Sequence, residues 1–198
     1  MFDQHIKLIL LDFDGTLADT RFANAKAYVA MFRERGYALT EEEYLERYFG
    51  MRCAEFLTTY GIQDPDEREQ MRQRKIELYP QFFDSVRLNE PLWQLCCQFR
   101  QKGGKVWIVS TGSRANIDHV MDHLGIGLRG VSQGQIGMVD GIVSGADVQH
   151  SKPDPECFIE VMQRTGCTPR ETLIFEDSSV GLEAAHRSGA AYFKVDLS

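Results

Sequence analysis

Asp12 and Asp14 stand two residues apart at the end of an apolar run, Leu8–Leu11, and Gly15-Thr16 follows at once. Residues i and i+2 of a strand point the same way, so both carboxylates leave the end of a sheet side by side. Two like charges that close repel unless a cation or a shared proton sits between them. The pair therefore points to a divalent metal, to acid–base chemistry, or to both. Three further segments carry reactive groups where strands are expected to end. Ser110 and Thr111 lead into Gly112-Ser113 at a helix start, Lys152 lies in His150-Ser151-Lys152-Pro153-Asp154-Pro155, and Glu176-Asp177 precede Ser178-Ser179-Val180-Gly181. Together they suit phosphoryl transfer. One carboxylate can attack phosphorus, and a second can protonate the leaving oxygen and then activate water. Mg2+ favours carboxylates plus phosphate oxygens, which Asp12 and Asp177 could supply. A hydroxyl, helix-start amides and a lysine can hold the remaining oxygens.

The elements that must position these groups are legible as short runs apolar on both faces, the mark of buried parallel strands. They are Lys7–Phe13, Val106–Ser110, about Gly141–Ser144, Thr172–Glu176 and Ala191–Val195. Helical patterns lie between them at Pro91–Lys102, from an N-cap at Ser113 to a stop at Gly125, at Pro155–Thr165 and at Ser179–Ser188. This alternation predicts a Rossmann-like α/β fold, a parallel five-stranded sheet with helices on both faces, and ligands then bind beyond the carboxyl ends of the strands. The stretch from Thr20 to Ser85 breaks the rhythm. It holds no strand pattern but helical segments at Glu41–Phe49, Cys53–Tyr60 and Pro65–Phe83, and Phe22, Val29 and Phe32 read as its core. We expect an all-helical insertion over residues 20–85, with residues 1–19 and 86–198 forming the core domain. Gly125–Asp140 is glycine-rich and reads as a short hairpin or a long loop.

At 198 residues, with 43% hydrophobic and 26% charged side chains, the chain is a globular protein rather than a disordered one. A net charge of −7 argues against nonspecific binding to nucleic acid or anionic membranes, which takes a basic face. Five cysteines without a C-x-x-C pair fit reduced thiols in a cytoplasmic protein. No signal peptide or membrane span is expected, since Asp12 interrupts the first apolar run. The five histidines show no metal-ligand spacing.

At these residues the chain resembles the haloacid dehalogenase superfamily, in the subgroup that carries a helical cap after the first strand. D-F-D-G-T-L at Asp12–Leu17 is similar to the first motif, Ser110 to the second, Lys152 in K-P-D-P to the third, and F-E-D-S-S-V-G at Phe175–Gly181 to the fourth. The likeness spans nearly the whole chain. It implies Asp12 as nucleophile and Asp14 as acid/base. Ser110, Thr111, Gly112 and Lys152 are the implied phosphate contacts. The implied Mg2+ site takes Asp12, the Asp14 backbone carbonyl, Glu176 and Asp177. Cap residues Arg21, Asn24 and Arg52 are candidates for substrate selection, with Lys26 and Lys75 behind them, and Asp19 reads as a structural residue of the cap linker.

Dehalogenases and phosphonoacetaldehyde hydrolases of this superfamily lack a carboxylate at the position of Asp14. Its presence favours phosphate-ester chemistry on a small phosphorylated metabolite, a sugar phosphate by resemblance, in a monomer or weak homodimer. A sugar phosphomutase of the β-phosphoglucomutase type shares all four motifs, but carries a linker histidine where this chain aligns Asn24. The chain also stops after the last strand, without the helix many relatives add. A receiver domain places its acidic residues on different strands and has no such insertion. A non-catalytic binding protein on this fold would be expected to lose a nucleophile or lysine, and here each chemical position is filled.

Overall fold

The computed structural model describes residues 6–128 and 137–197. Five strands form one parallel sheet: β1 Leu8–Leu11, β4 Lys105–Val109, β7 Gly141–Val143, β8 Thr172–Glu176 and β9 Ala191–Lys194, in the order β7-β4-β1-β8-β9. The short strands β2 Ala18–Asp19 and β3 Arg87–Leu88 pair antiparallel. β5 Ile126–Leu128 and β6 Gly137–Val139 form a separate parallel pair. A hairpin over 125–140 would run antiparallel, so that expectation fails. The rest of that glycine-rich segment, 129–136, lies outside the described residues.

Both faces of the sheet are buried, which is why its strands read as continuous apolar runs. Along β1, Ile9 and Leu11 enter one core with Trp93, Phe99 and Ile117, while Leu8 and Leu10 enter the other with Phe158, Val161 and Ala184. α5 Glu90–Gln101 and α6 Arg114–Leu124 contribute to the first core, and α7 Glu156–Thr165 and α8 Ser179–Ser188 to the second. All four residues of β1 have no exposed surface, and each such side chain contributes roughly 1.5–3 kcal/mol of burial free energy. β1 also lies where the strand order reverses, between β4 and β8, so the crevice for a ligand opens at its carboxyl end.

Residues 21–85 are helical throughout their regular structure: α1 Arg21–Glu34, α2 Glu41–Arg47, α3 Cys53–Tyr60, α4 Pro65–Leu78 and a 3-10 helix Tyr79–Ser85. The expected helix to Phe83 tightens at Tyr79, one residue before Pro80, which has no N–H to continue an α-helical ladder. These helices share a separate aromatic core in which Phe32 stacks on Phe56 at 5.4 Å and Tyr28 meets Phe56 edge-on at 5.0 Å. Phe22 does not join it. It is 50% exposed, because its neighbours Ala23 and Ala25 take the inward positions of α1.

Candidate active site

The carboxyl end of β1 is held to the sheet through Asp12, whose N–H donates to the Phe175 carbonyl at 2.9 Å. The chain then turns through Gly15, at φ 93°, a conformation that suits a residue without Cβ. A Cβ there would lie 2.3 Å from Asp177 Oδ2, so the glycine also lets the end of β8 approach the end of β1. Asp177 is fixed by the Thr16 hydroxyl at 3.0 Å. Glu176, one residue earlier, is 1% exposed. One of its oxygens accepts from Lys152 at 2.8 Å, and the other from the Ser178 N–H and hydroxyl at 2.8 and 3.0 Å. Gly181 makes room for it, since a Cβ at that position would lie 2.0 Å from the Glu176 carboxylate. The glycine of the fourth motif thus has a steric reason.

Lys152 reaches in from the loop before α7. Its Nζ donates to Asp12 Oδ1 at 2.6 Å and to the Val109 carbonyl at 3.3 Å. Burial pulls against its charge, but Asp12 and Glu176 hold its pKa above the ordinary lysine value. Burial pushes the Asp12 carboxyl up, and the Lys152 ammonium opposes that push. Asp177 rises to about 6, through burial first and the negative charge of Glu176 second.

Carboxylate oxygens of Asp12, Glu176 and Asp177 lie within 4.8 Å of one another. Three hard oxygen donors beside a cavity, one of them driven toward protonation by burial and by the neighbouring Glu176 charge, fit a small divalent cation such as Mg2+. Because both oxygens of Glu176 already accept hydrogen bonds, Asp12 and Asp177 are the better direct ligands. A surface trio, His150, Asp154 and Glu156, also gathers. There the Glu156 carboxylate is occupied by the N–H groups of Gln149 and His150 and by the His150 ring.

Asp14 lines the same cavity. Its Oδ1 accepts from the Thr20 hydroxyl at 2.5 Å and from Asn24 Nδ2 at 3.2 Å, and the Ser110 hydroxyl lies 3.4 Å from Oδ2. Ser110 Oγ in turn accepts the Gly112 N–H at 2.9 Å, and Ser113 caps α6 through the Asn116 N–H. Behind Asn24 stands Lys75, 2% exposed, which donates to Asn24 Oδ1 at 2.7 Å. Its ammonium sits 3.6 Å from the centre of the Tyr79 ring. Burial lowers the Lys75 pKa to about 8, against the opposing pull of Asp14. Lysine at one face of the amide and carboxylate at the other leave Asn24 a single orientation, with its N–H groups toward Asp14.

Asp12, Asp14, Asn24, Ser110, Thr111, Gly112, Lys152, Glu176 and Asp177 therefore share one cavity wall. Arg21 and Arg52 are not on it. Arg21 is engaged by Asp19 through two contacts of 3.0 Å, and Arg52 lies on the carbonyls of Val148 and Gln149. Sequence reasoning passed over Thr20, Tyr28, Tyr44, Arg72 and Tyr79, and ranked Lys75 low. A signal for Lys75 was present: it shares the inward register of α4 with Met71 and Leu78, where a lysine is out of place unless it has a partner.

A parallel sheet that brings four carboxylates, a lysine and a serine to the end of its central strand, beside a helical segment, defines an α/β enzyme with an acidic centre. The chain belongs to the haloacid dehalogenase-like hydrolase family, which it matches over residues 9–195. The fructose-1-phosphate phosphatase YqaB of Escherichia coli (strain K12) is 28% identical to it over 200 residues, spanning 100% of both chains. The 6-phosphogluconate phosphatase of the same strain is 24% identical over 197 residues, 95% of this chain and 81% of that protein. The crystal structure of CbbY from Rhodobacter sphaeroides in complex with phosphate has the same fold, with a TM-score of 0.80 at 21% identity, covering 94% of this chain and 84% of that one. Among the described residues no helix is long and apolar enough to cross a membrane.

Proposed function

We propose that the chain is a Mg2+-dependent phosphomonoester hydrolase acting on a small phosphorylated sugar through an aspartyl-phosphate on Asp12. The observation that carries this reading is Asp14, a second carboxylate in the cavity of Asp12, held by Thr20 and Asn24 and close to Ser110. A leaving alkoxide needs a proton donor, and a later water needs a base; one carboxylate can serve both steps. In the first step an Asp12 oxygen bonds to phosphorus, the ester P–O bond breaks, and Asp14 gives its proton to the departing alcohol. In the second, Asp14 takes a proton from water as that water attacks phosphorus, which frees phosphate and restores Asp12. Lys152, exchanging its long contact with the Val109 carbonyl, holds the phosphoryl oxygens with the Ser110 hydroxyl and the Thr111 amide, while the Gly112 N–H orients Ser110 Oγ. Asp12, Asp177 and the Asp14 carbonyl, with Glu176 beside them, would hold Mg2+, which when bound would supply positive charge to the phosphoryl group.

Residues 20–85 act in this reading as a cap that excludes water from the reaction. The preference for a sugar phosphate rests on the substrates of the relatives. Asn24 argues against a mutase, because an amide cannot carry a proton between two substrate hydroxyls near neutral pH. Free thiols at all five cysteines suit a reducing compartment, the cytoplasm.

The test is phosphate release from a panel of sugar phosphates, with and without Mg2+, using Asp12→Asn as control. Mg2+-dependent release that vanishes in the variant is expected. Substantial turnover by Asp12→Asn would sink the assignment, and isomerisation of a hexose 1-phosphate without phosphate release would move it to a mutase.

A further inference from the structure

Each of the two side chains assigned to the phosphoryl oxygens has, as its immediate chain neighbour, a residue that grips the helical segment. Beside Ser110, the Thr111 hydroxyl donates to the Gly50 carbonyl at 3.1 Å. Beside Lys152, the Ser151 hydroxyl donates to the Glu55 carboxylate at 3.0 Å. Between these contacts the Arg52 guanidinium reaches the carbonyls of Val148 and Gln149, at 3.3 and 3.5 Å, on the loop that ends in Lys152. All the cap partners fall in the stretch 50–55, the turn before α3 and the first turn of that helix. The far side of the same loop is tied to the core by Glu156, which takes the Gln149 and His150 N–H groups, and by Arg187, which donates to the Pro153 carbonyl at 2.9 Å.

The geometry points to a latch: Arg52 and Glu55 are positioning residues that hold the Lys152 loop, so that cap closure and assembly of the phosphate site are one event. This rests on the phosphatase reading of the site. Arg52 is a candidate for substrate selection by sequence; in the structure its guanidinium reaches carbonyls of the core. Its Nε is buried without a partner, a cost that its two carbonyl contacts must offset. The Arg52 contacts are long and the Glu55 contact is exposed, so each is weak alone. Acting on one loop, they couple closure to phosphate binding. Such coupling is reciprocal: whatever closure contributes to phosphate affinity, phosphate contributes to closure.

Inorganic phosphate with Mg2+ is the probe. Titration calorimetry reads its affinity, and hydrogen exchange of the amides in 50–60 reads closure. In the unaltered protein, phosphate should slow exchange across this stretch. The double variant Arg52→Ala/Glu55→Ala should bind phosphate roughly tenfold more weakly and lose the phosphate-induced protection. Glu55→Gln, which keeps an acceptor for Ser151, should stay near the parent, a rescue that general loosening of the fold would not produce. If the double variant binds phosphate as the parent does, or if phosphate leaves exchange in the parent unchanged, the latch is refuted while the phosphatase reading stands. If the parent binds no phosphate, the phosphatase reading falls and takes the latch with it.

Discussion

Replacing Lys75 with methionine should make the protein more stable at neutral pH and less active. Burial lowers the Lys75 pKa from the ordinary 10.5 to about 8. A shift of that size corresponds to about 3 kcal/mol of penalty for keeping the ammonium in the folded state. Below pH 8 both folded and unfolded chains carry the proton, and the whole penalty is present. Between pH 8 and 10.5 the folded chain has released its proton and the unfolded chain has not, so the parent gains stability as pH rises. Methionine removes the penalty but leaves Asn24 Oδ1 without its donor, a loss of about 1–2 kcal/mol. The net expectation at pH 7 is a gain of about 1–2 kcal/mol, or a Tm higher by about 3–6 °C. Near pH 10.5, where the parent has no ammonium left to bury, the order should reverse. Phosphate release should fall by roughly 10–100-fold, because the amide that faces Asp14 is no longer oriented. Thermal melts of both proteins from pH 7 to 10, beside turnover at pH 7, decide the matter. A variant less stable than the parent at pH 7, or a difference that stays flat across that range, would refute the reasoning.

Three further outcomes follow from the same geometry. Asp12→Asn should melt no lower than the parent in Mg2+-free buffer, since it relieves crowding among buried carboxylates; a fall of several degrees would show that the Lys152 contact outweighs that crowding. Gly181→Ala should destabilise by about 1–3 kcal/mol, with weaker Mg2+ binding by calorimetry, because its Cβ and the Glu176 carboxylate cannot both keep their places; an unchanged melt would mean that α8 shifts freely. Mg2+ added at about a hundredfold excess over its Kd should stabilise the parent by about 2.7 kcal/mol, chelator should abolish turnover, and Asp177→Ala should lose most of the melting shift.

The sheet and its acidic centre were legible because both follow from short-range rules. Strands buried on two faces show as unbroken apolar runs, and the reactive residues sit directly at their ends. The capping signal at Ser113 and the stop at Gly125 placed α6 for the same reason. What escaped depended on which way a side chain faces and which partner it meets, and spacing announces neither. Phe22 looked like core, yet two alanines take the inward positions beside it. Arg21 and Arg52 looked free for substrate, but Asp19 and two carbonyls of the 148–149 loop hold them. Lys75 lies 51 residues from Asn24, and neither a charged residue in a charged helix nor a lone asparagine announces that the two will meet.

The narrow pairing of β2 with β3 bears on how this chain could be rebuilt. Ala18 faces Leu88 and Asp19 faces Arg87, so the polypeptide leaves the sheet and returns to it at one point. Asn89 fastens that point, with its N–H on the Leu17 carbonyl at 2.8 Å and its side-chain amide on the Thr16 carbonyl at 3.0 Å. The entropic cost of closing an excursion grows only slowly with its length, by about 0.6 kcal/mol per doubling. The ribbon is therefore a natural splice site: a helical segment from another chain, joined at residues 19 and 87, would meet the sheet through the same two-residue seam. A graft of that kind would bring its own walls for the alcohol half of a substrate, while Asp12, Lys152 and Asp177 remained in the part of the protein that was never cut.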